Sequence, residues 1–274
     1  MDAQTFSEVK GFFDEETHTI TYVITDKQTN SCAVLDSVLD LDYASGKINY
    51  LNADKIINFI TENNLKLCWL IETHVHADHL SAAPYIQQNL GGKIVISKEI
   101  VKVQEIFGKV FNAGTEFERD GSQFDLLLED GDTYKIGNLR GKALHTPGHT
   151  PACMAHVIED TVFVGDTLFR SIQKILALPD NTRMFVCHDY MPNGREVKWE
   201  TTVSEQKQNN IHIGGDINED EFVKLREKRD STLGMPKLII PSIQVNMRAG
   251  NMPPSEDNGS TFLKVPISGL KGLR

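Results

Sequence analysis

The sequence predicts an α/β protein built as a sandwich of two packed sheets with helices outside. Three observations predict it: strand-like segments lead the chain, helical segments then alternate with short apolar strands, and a second group of strands follows. A chain of 274 residues that is 40% hydrophobic can bury a core of that size.

The elements read in order as follows. His18–Thr25 alternates threonine with isoleucine, tyrosine and valine, and Cys32–Val38 is an apolar run ending at Asp36-Ser37, so the two form a hairpin or meander. Ala53–Asn63 puts Ile56, Ile57 and Ile60 on one helical face, and Asn63-Asn64 ends it. Leu65–Ile71 is a continuous apolar run, the pattern of a strand buried on both faces. Leu80–Asn89 predicts a helix stopped by Gly91-Gly92, Lys93–Ser97 a strand, and Glu99–Val110 a helix through Ile100, Val103, Phe107 and Val110. Phe124–Leu128, Thr133–Ile136, Ala152–Ile158 and Thr161–Val164 predict strands joined by turns such as Asp130-Gly131 and Glu159-Asp160. Ser171–Leu178 reads as a short helix, Arg183–Cys187 as a strand and Glu219–Arg229 as a charged amphipathic helix. Residues 235–274, with Pro236, Pro241, Pro253, Pro254 and Pro266, are expected to form an irregular tail wrapping a single domain that spans residues 1–274.

Composition narrows the function classes. Lys and Arg total 28 against 38 Asp and Glu, a net charge of -10 that argues against a nucleic-acid or anionic-membrane surface. No apolar run reaches the roughly 18 residues that a membrane span needs. Met1–Glu8 has neither the basic start nor the apolar stretch of a secretory signal, so the expected location is cytoplasmic. Cys32, Cys68, Cys153 and Cys187 lie in apolar stretches without CxxC spacing, the pattern of buried reduced thiols, although Cys187 directly precedes a candidate ligand.

The chemistry concentrates at strand ends. Thr73-His74-Val75-His76-Ala77-Asp78-His79 places three imidazoles and a carboxylate directly after a buried strand. Imidazole nitrogen and carboxylate oxygen suit borderline divalent metals, and a loop can turn all four toward one point where a regular strand would send Asp78 and His79 to opposite sides. A lone histidine is ordinarily just a satisfied polar residue; this spacing is not explained that way. Three further exits add to it: His149 in the turn His145-Thr146-Pro147-Gly148-His149, Asp166 after Val162–Gly165, and His188 in Cys187-His188-Asp189-Tyr190.

With those motifs the chain from about Thr17 to Tyr190 resembles the metallo-β-lactamase superfamily, which implies an αββα sandwich of two packed mixed sheets. Glu72–Ser81, His145–Pro151 and Gly165–Phe169 look most like persulfide dioxygenases and their glyoxalase II relatives. Cys187–Tyr190, Asn193-Gly194-Arg195 and Trp199–Val203 look like bacterial persulfide dioxygenases and β-lactamase-like hydrolase proteins. That resemblance implies a non-haem Fe(II) enzyme that oxidises glutathione persulfide, or a related persulfide, with O2 to sulfite and free thiol. By the same resemblance His74, His149 and Asp166 hold one iron, and His76, Asp78, His79 and His188 surround it. Asp78, His188 and Tyr190 are the residues expected to serve catalysis, and Arg195 and Arg248 those expected to meet a substrate carboxylate.

The ligand set equally completes a binuclear zinc hydrolase in the manner of glyoxalase II. There His74, His76 and His149 bind one zinc, Asp78, His79 and His188 the other, and Asp166 bridges them for attack on a thioester. The chain departs from the resemblance in one place: a glycine-rich, substrate-receiving loop is expected after Phe169, but Arg170-Ser171-Ile172 follows at once. Arg170 is a partial substitute for that loop or an ordinary surface residue. A third alternative is therefore a metal-binding protein that lost turnover with the loop. A secreted β-lactam hydrolase is disfavoured by the missing signal. The expected partners are the small persulfide and O2, with no nucleic acid and no membrane, and a homodimer is compatible with the sequence.

Overall fold

The computed structural model describes residues 7–167, 169–213, 219–230 and 234–267. The first half contains β1 (Glu8–Phe13), β2 (Ile20–Asp26), β3 (Ser31–Leu35), β4 (Val38–Asp42), β5 (Lys47–Asn49), α1 (Leu51–Glu62), β6 (Lys66–Ile71), β7 (Leu80–Ser81), α2 (Ala83–Leu90), β8 (Lys93–Ser97), α3 (Ile100–Val110) and β9 (Leu126–Leu128). The second contains β10 (Thr133–Ile136), β11 (Leu139–His145), β12 (Met154–Ile158), β13 (Thr161–Phe163), α4 (Phe169–Leu176), β14 (Arg183–Phe185), β15 (Glu200–Thr202), α5 (Val203–Asn209), α6 (Glu219–Asp230) and α7 (Ile239–Asn246).

One sheet runs β1-β2-β3-β6-β8-β9, the other β10 through β15 in chain order, and a small sheet pairs β5-β4-β7. In the first sheet β1, β2 and β3 are antiparallel, whereas β6, β8 and β9 continue it in parallel. Side-chain alternation assigns the faces. Ile20, Tyr22 and Ile24 of β2 meet Ile136, Leu139, Met154, Phe163 and Phe185 of the second sheet, while Val23 turns outward to Val34, Ile56, Ile60 and Leu70 under the helices. The far face of the second sheet, Ala155, Val162 and Met184, is covered by Ile175 and Leu176 of α4 and by Val203 of α5. The layers are therefore helix, sheet, sheet, helix, as the sequence predicts. Each large aliphatic side chain sealed between them contributes about 1.5–3 kcal/mol. The polar ends of two large aromatic residues are satisfied: the Tyr22 hydroxyl donates to Val186 O, and Trp69 Nε1 donates to Lys135 O.

Several boundaries differ from the sequence expectation, each for a local reason. The Cys32–Val38 run is two strands, because Asp36 adopts φ 53° and turns the chain between β3 and β4. The helix expected from Leu80 starts at Ala83, since Leu80-Ser81 pairs with β4 and Pro84 takes a first-turn position. Strand β11 escapes notice because Arg140 and Lys142 occupy its exposed positions and glycine fills a buried one. The expected irregular tail contains a buried helix, α7. Its Pro241 lies in the first turn, where no helical N–H is needed, and the helix is buried on nearly every side, so it carries no amphipathic period. The four cysteines are free thiols, three of them buried and Cys68 partly exposed. Among the described residues no helix is long and apolar enough to cross a membrane.

A single carboxylate joins the two sheets away from the site. Asp26, at the end of β2, accepts from Gln28 N, Thr29 Oγ and, across to the β10–β11 turn, Asn138 N at 2.7 Å. Burial opposes its ionisation, but these donors hold its pKa below the usual carboxylate value. The unfolded chain thus binds the proton more readily, so this stabilisation is complete above the ordinary value of about 4 and lost as pH falls through the lower folded value. Asp26→Ala is expected to cost about 1–3 kcal/mol at pH 7 and distinctly less near pH 3, measured by urea denaturation at both pH values.

Candidate metal centre

The candidate ligands leave the carboxyl ends of β6, β11, β13 and β14 and meet at one edge of the sandwich. The two sheets are joined there by Met154 N, which donates to Thr73 O. Next to Asp166, Gly165 has φ +54°, and a Cβ at that position would lie 2.9 Å from Thr73 Oγ1, so only glycine lets this turn approach the β6 loop.

His74, His149 and Asp166 each offer one ligand atom, all within 4.8 Å of one another, and His76, Asp78 and His79 form a second such group. A third joins Asp166, Cys187 and His188. The imidazoles are in register: ring centroids are 4.0 Å apart for His74–His76 and 4.2 Å for His76–His79. His188 Nε2 lies 3.6 Å from Asp78 Oδ2 and 3.7 Å from Asp166 Oδ1, linking the groups. All seven candidate ligands are thus brought together.

The proton pattern tests whether a metal fits. His74 Nδ1 is 3.0 Å from Thr73 Oγ, which itself donates to Asp36 Oδ2, so the imidazole is the donor in that contact. His76 Nε2 donates to Asp36 Oδ1 at 3.0 Å, and His79 Nδ1 donates to Asp78 Oδ2 at 3.1 Å. The remaining nitrogens, His74 Nε2, His76 Nδ1 and His79 Nε2, therefore carry lone pairs, and all three are buried without a hydrogen-bond partner. Leaving such atoms unmade costs about 1–3 kcal/mol each, and a divalent cation is the chemistry that three convergent imidazole lone pairs and two carboxylates accept. The residues fit a metal.

Electrostatics agree at His74. Burial drives His74 well below the usual histidine range, and the neighbouring His76 and His149 add to the effect, which favours the neutral, ligating form. Burial would lower His79 too, but the adjacent Asp78 charge and hydrogen bond raise it, so a cation at its Nε2 would compete with a proton. Partial burial opposes ionisation of Asp78, and His79 and His188 overcome it to hold the carboxyl well below its usual range. Burial, with the charge of Asp36, pushes Glu72 up to about 8. Burial, with Asp36 and Asp166 nearby, lifts the Cys187 thiol well above its normal value, so it is a neutral S–H.

An open cavity of about 800 Å³ reaches the cluster, lined by Asp78, His149, Asp166, His188, Tyr190 and Lys237 among others. Tyr190 stacks on His188 at 5.8 Å. The two arginines expected to meet substrate are not brought to this cavity. Arg195 is held by Asp189 through both terminal nitrogens, at 2.7 and 2.6 Å. Arg248 is buried in a separate cavity, with its guanidinium carbon 4.1 Å from the Phe117 ring centre and Glu116 at 3.6 Å. Their charges are answered inside the protein, which a linear sequence does not reveal. Helix α4 begins at Phe169, so only Thr167 and Leu168 separate it from Asp166; the side chain of Arg170 lies outside the described residues. Sequence reasoning missed Asp36, Glu72 and Thr19, whose hydroxyl donates to Asp78 Oδ2 at 3.0 Å. The only available signal was the carboxylate of Asp36 ending an apolar run.

A four-layer sandwich with imidazoles and carboxylates converging from its strand ends defines a metal-dependent enzyme scaffold. Residues 16–209 match the model of the Metallo-beta-lactamase superfamily, and the chain belongs to that family. It is 47% identical over 292 residues to a probable metallo-hydrolase of Burkholderia pseudomallei, covering 96% of this chain and 99% of that protein. Glyoxylase B2 of Dictyostelium discoideum is 42% identical over 287 residues, covering 97% and 98%. The persulfide dioxygenase ETHE1 of Bos taurus is 27% identical, covering 90% and 91%. The crystal structure of ETHE1 from Myxococcus xanthus superposes with a TM-score of 0.68 at 26% identity, covering 89% of this chain and 100% of that one. The chain spans 65% of the length of the beta-lactamase hydrolase-like protein of Xylella fastidiosa that it also matches. The first two alignments are longer than the 274-residue chain itself, so those relatives carry residues that this chain lacks.

Two outcomes test the site's construction. Asp36→Ala, which frees His76 Nε2 and the Thr73 relay, is expected to weaken metal binding by roughly 10–100-fold, read by competition with a chromogenic chelator. Arg195→Ala releases Asp189, which also accepts from Met191 N and Lys198 N, around the left-handed residues Met191 and Asn193. Limited proteolysis of that variant should cut faster within residues 190–197 while metal content stays at the wild-type level.

Proposed function

We propose that the chain is a non-haem iron persulfide dioxygenase that converts the persulfide of glutathione or a related thiol, with O2 and water, to that thiol and sulfite. The balance is RSSH + O2 + H2O → RSH + H2SO3, with the outer sulfur oxidised and the S–S bond broken. The observation that carries this reading is the group His74, His149 and Asp166, two imidazoles and one carboxylate within 4.8 Å of one another at an open cavity. These three residues would hold Fe(II), which would supply the redox chemistry for the reaction of O2 with the persulfide sulfur.

The chain's own groups do the rest. His149 and Asp166 are about one-third exposed and face the cavity, so substrate reaches them directly. His188 takes the persulfide proton at Nε2, where Asp78 and Asp166 stabilise the resulting charge, and Thr19 Oγ near its Nδ1 orients the ring. Tyr190 packs on His188 and narrows the cavity wall. Lys237, the cation among the described lining residues, is largely exposed and 3.6 Å from Glu16 Oε1; it leaves that loose surface pair to receive the carboxylate of the thiol carrier in the role expected of Arg195 or Arg248. The likeness to persulfide dioxygenase ETHE1 supports the reading.

A second reading rests on a separate observation. His76, Asp78 and His79 form another ligand group with two unpartnered nitrogens, and Glyoxylase B2 is a relative of greater identity. A second zinc there would make the site a thioester hydrolase.

Oxygen uptake by anaerobically prepared, Fe(II)-loaded protein given glutathione persulfide tests the choice. Uptake with matching sulfite is expected, and His149→Ala should lower it by at least about a hundredfold, the loss of roughly 3 kcal/mol of transition-state stabilisation. Absence of uptake together with thioester hydrolysis by the zinc-loaded protein would establish the second reading, and silence in both would leave a metal-binding protein without turnover.

A further inference from the structure

The loop that carries four of the candidate ligands has little backbone structure of its own. Among the described residues, no backbone–backbone hydrogen bond restrains residues 74–79. Yet a carbonyl buried in such a loop must be satisfied, and ligand atoms must be held to within about 0.2 Å of coordination distance.

Both needs are met from far along the chain. Asn246 Nδ2 donates to His76 O at 2.9 Å and to His79 O at 2.8 Å, and its Oδ1 accepts from Ser81 N at 2.8 Å. Two carbonyls and one N–H allow only one orientation of the amide. Asn246 is buried and ends α7, a helix anchored in the core by Ile243 and Val245. The side chain therefore fixes two peptide planes on either side of Asp78 from a rigid support. This helix lies beyond residues 16–209, the part of the chain that matches the family model.

We propose that Asn246 is a positioning residue for the metal site, setting the directions of His76, Asp78 and His79 through the carbonyls of the loop. The proposal rests on the metal reading of this loop, which carries His74 of the first ligand group and His76, Asp78 and His79 of the second. It makes α7 a working part of the site, because without that clamp the loop's carbonyls turn to water and the ligand directions spread.

The test uses the full chain with Co(II) as the probe. Asn246→Asp keeps the acceptor for Ser81 N and removes both donors; it is expected to bind Co(II) roughly 10–100-fold more weakly and to show altered visible d–d absorption, which reports ligand geometry. Asn246→Gln, which retains the amide one methylene farther out, is measured alongside as a milder variant and should shift the same spectrum. Gln244→Ala is the structural control. Gln244 is buried on the same helix and donates to Ile240 O and Lys264 O without touching the loop, so its loss should lower Tm and leave Co(II) affinity and spectrum unchanged. Folded Asn246 variants with wild-type Co(II) affinity and spectrum would overturn the proposal. A wild-type chain that takes up no Co(II) would instead overturn the metal reading beneath it.

Discussion

The carboxylate of Asp36 is the contact on which the site depends. It is buried to 1% exposure and accepts from Thr73 N, Thr73 Oγ, His76 Nε2 and, at 3.7 Å, Cys187 Sγ. Burying a charge costs several kcal/mol unless hydrogen bonds replace water, and here donors from the ends of β6 and β14 do so. His76 and Thr73 consequently hold Asp36 below its usual pKa although burial pushes the other way. Its left-handed backbone, φ 53°, turns β3 away so that the carboxylate can reach both neighbours. One residue thereby selects the nitrogens that His74 and His76 present as lone pairs.

The two-sheet core matters to function through the same contact. Ile71, Leu35 and Phe185 end their strands in the core between the sheets, immediately before the segments that carry His74, Asp36 and His188. Packing defines where the strands stop, and the short exits then have little freedom in where their side chains point. The cluster's unpartnered nitrogens carry a cost that a bound cation would relieve, so occupancy and folding are linked: whatever binds the folded site also shifts the folding equilibrium.

What was legible in the sequence was local. His74 to His79 could be read because three imidazoles and a carboxylate within six positions have no ordinary structural explanation, and the exits at His149, Asp166 and His188 repeated the pattern. Asp36 was not legible, because a carboxylate at the end of an apolar run looks like any turn residue until its partners, residues 73, 76 and 187, are seen around it. Asn246 was hidden by the prolines and uniform apolarity of α7. Arg195 and Arg248 misled in the opposite sense: an arginine near a motif invites a substrate role, but Asp189 and Phe117 already engage these two.

The balance between one metal and two turns on Asp78. Its Oδ2 already accepts from Thr19 Oγ at 3.0 Å and His79 Nδ1 at 3.1 Å, with His188 Nε2 at 3.6 Å. A second cation would have to compete with these donors for that oxygen or make do with Oδ1 alone. Among the described residues Asp166, by contrast, has only the 3.7 Å approaches of His149 and His188, and it is a third exposed, so its oxygens are the more available to an ion. Hydrogen bonding therefore ties up the carboxylate of the second group, whose His76 and His79 nitrogens stay open to an ion, and leaves the carboxylate of the first group free. That asymmetry within a complete ligand set puts the more available carboxylate at the open cavity and the orphaned imidazole nitrogens of His76 and His79 in the buried part of the cluster.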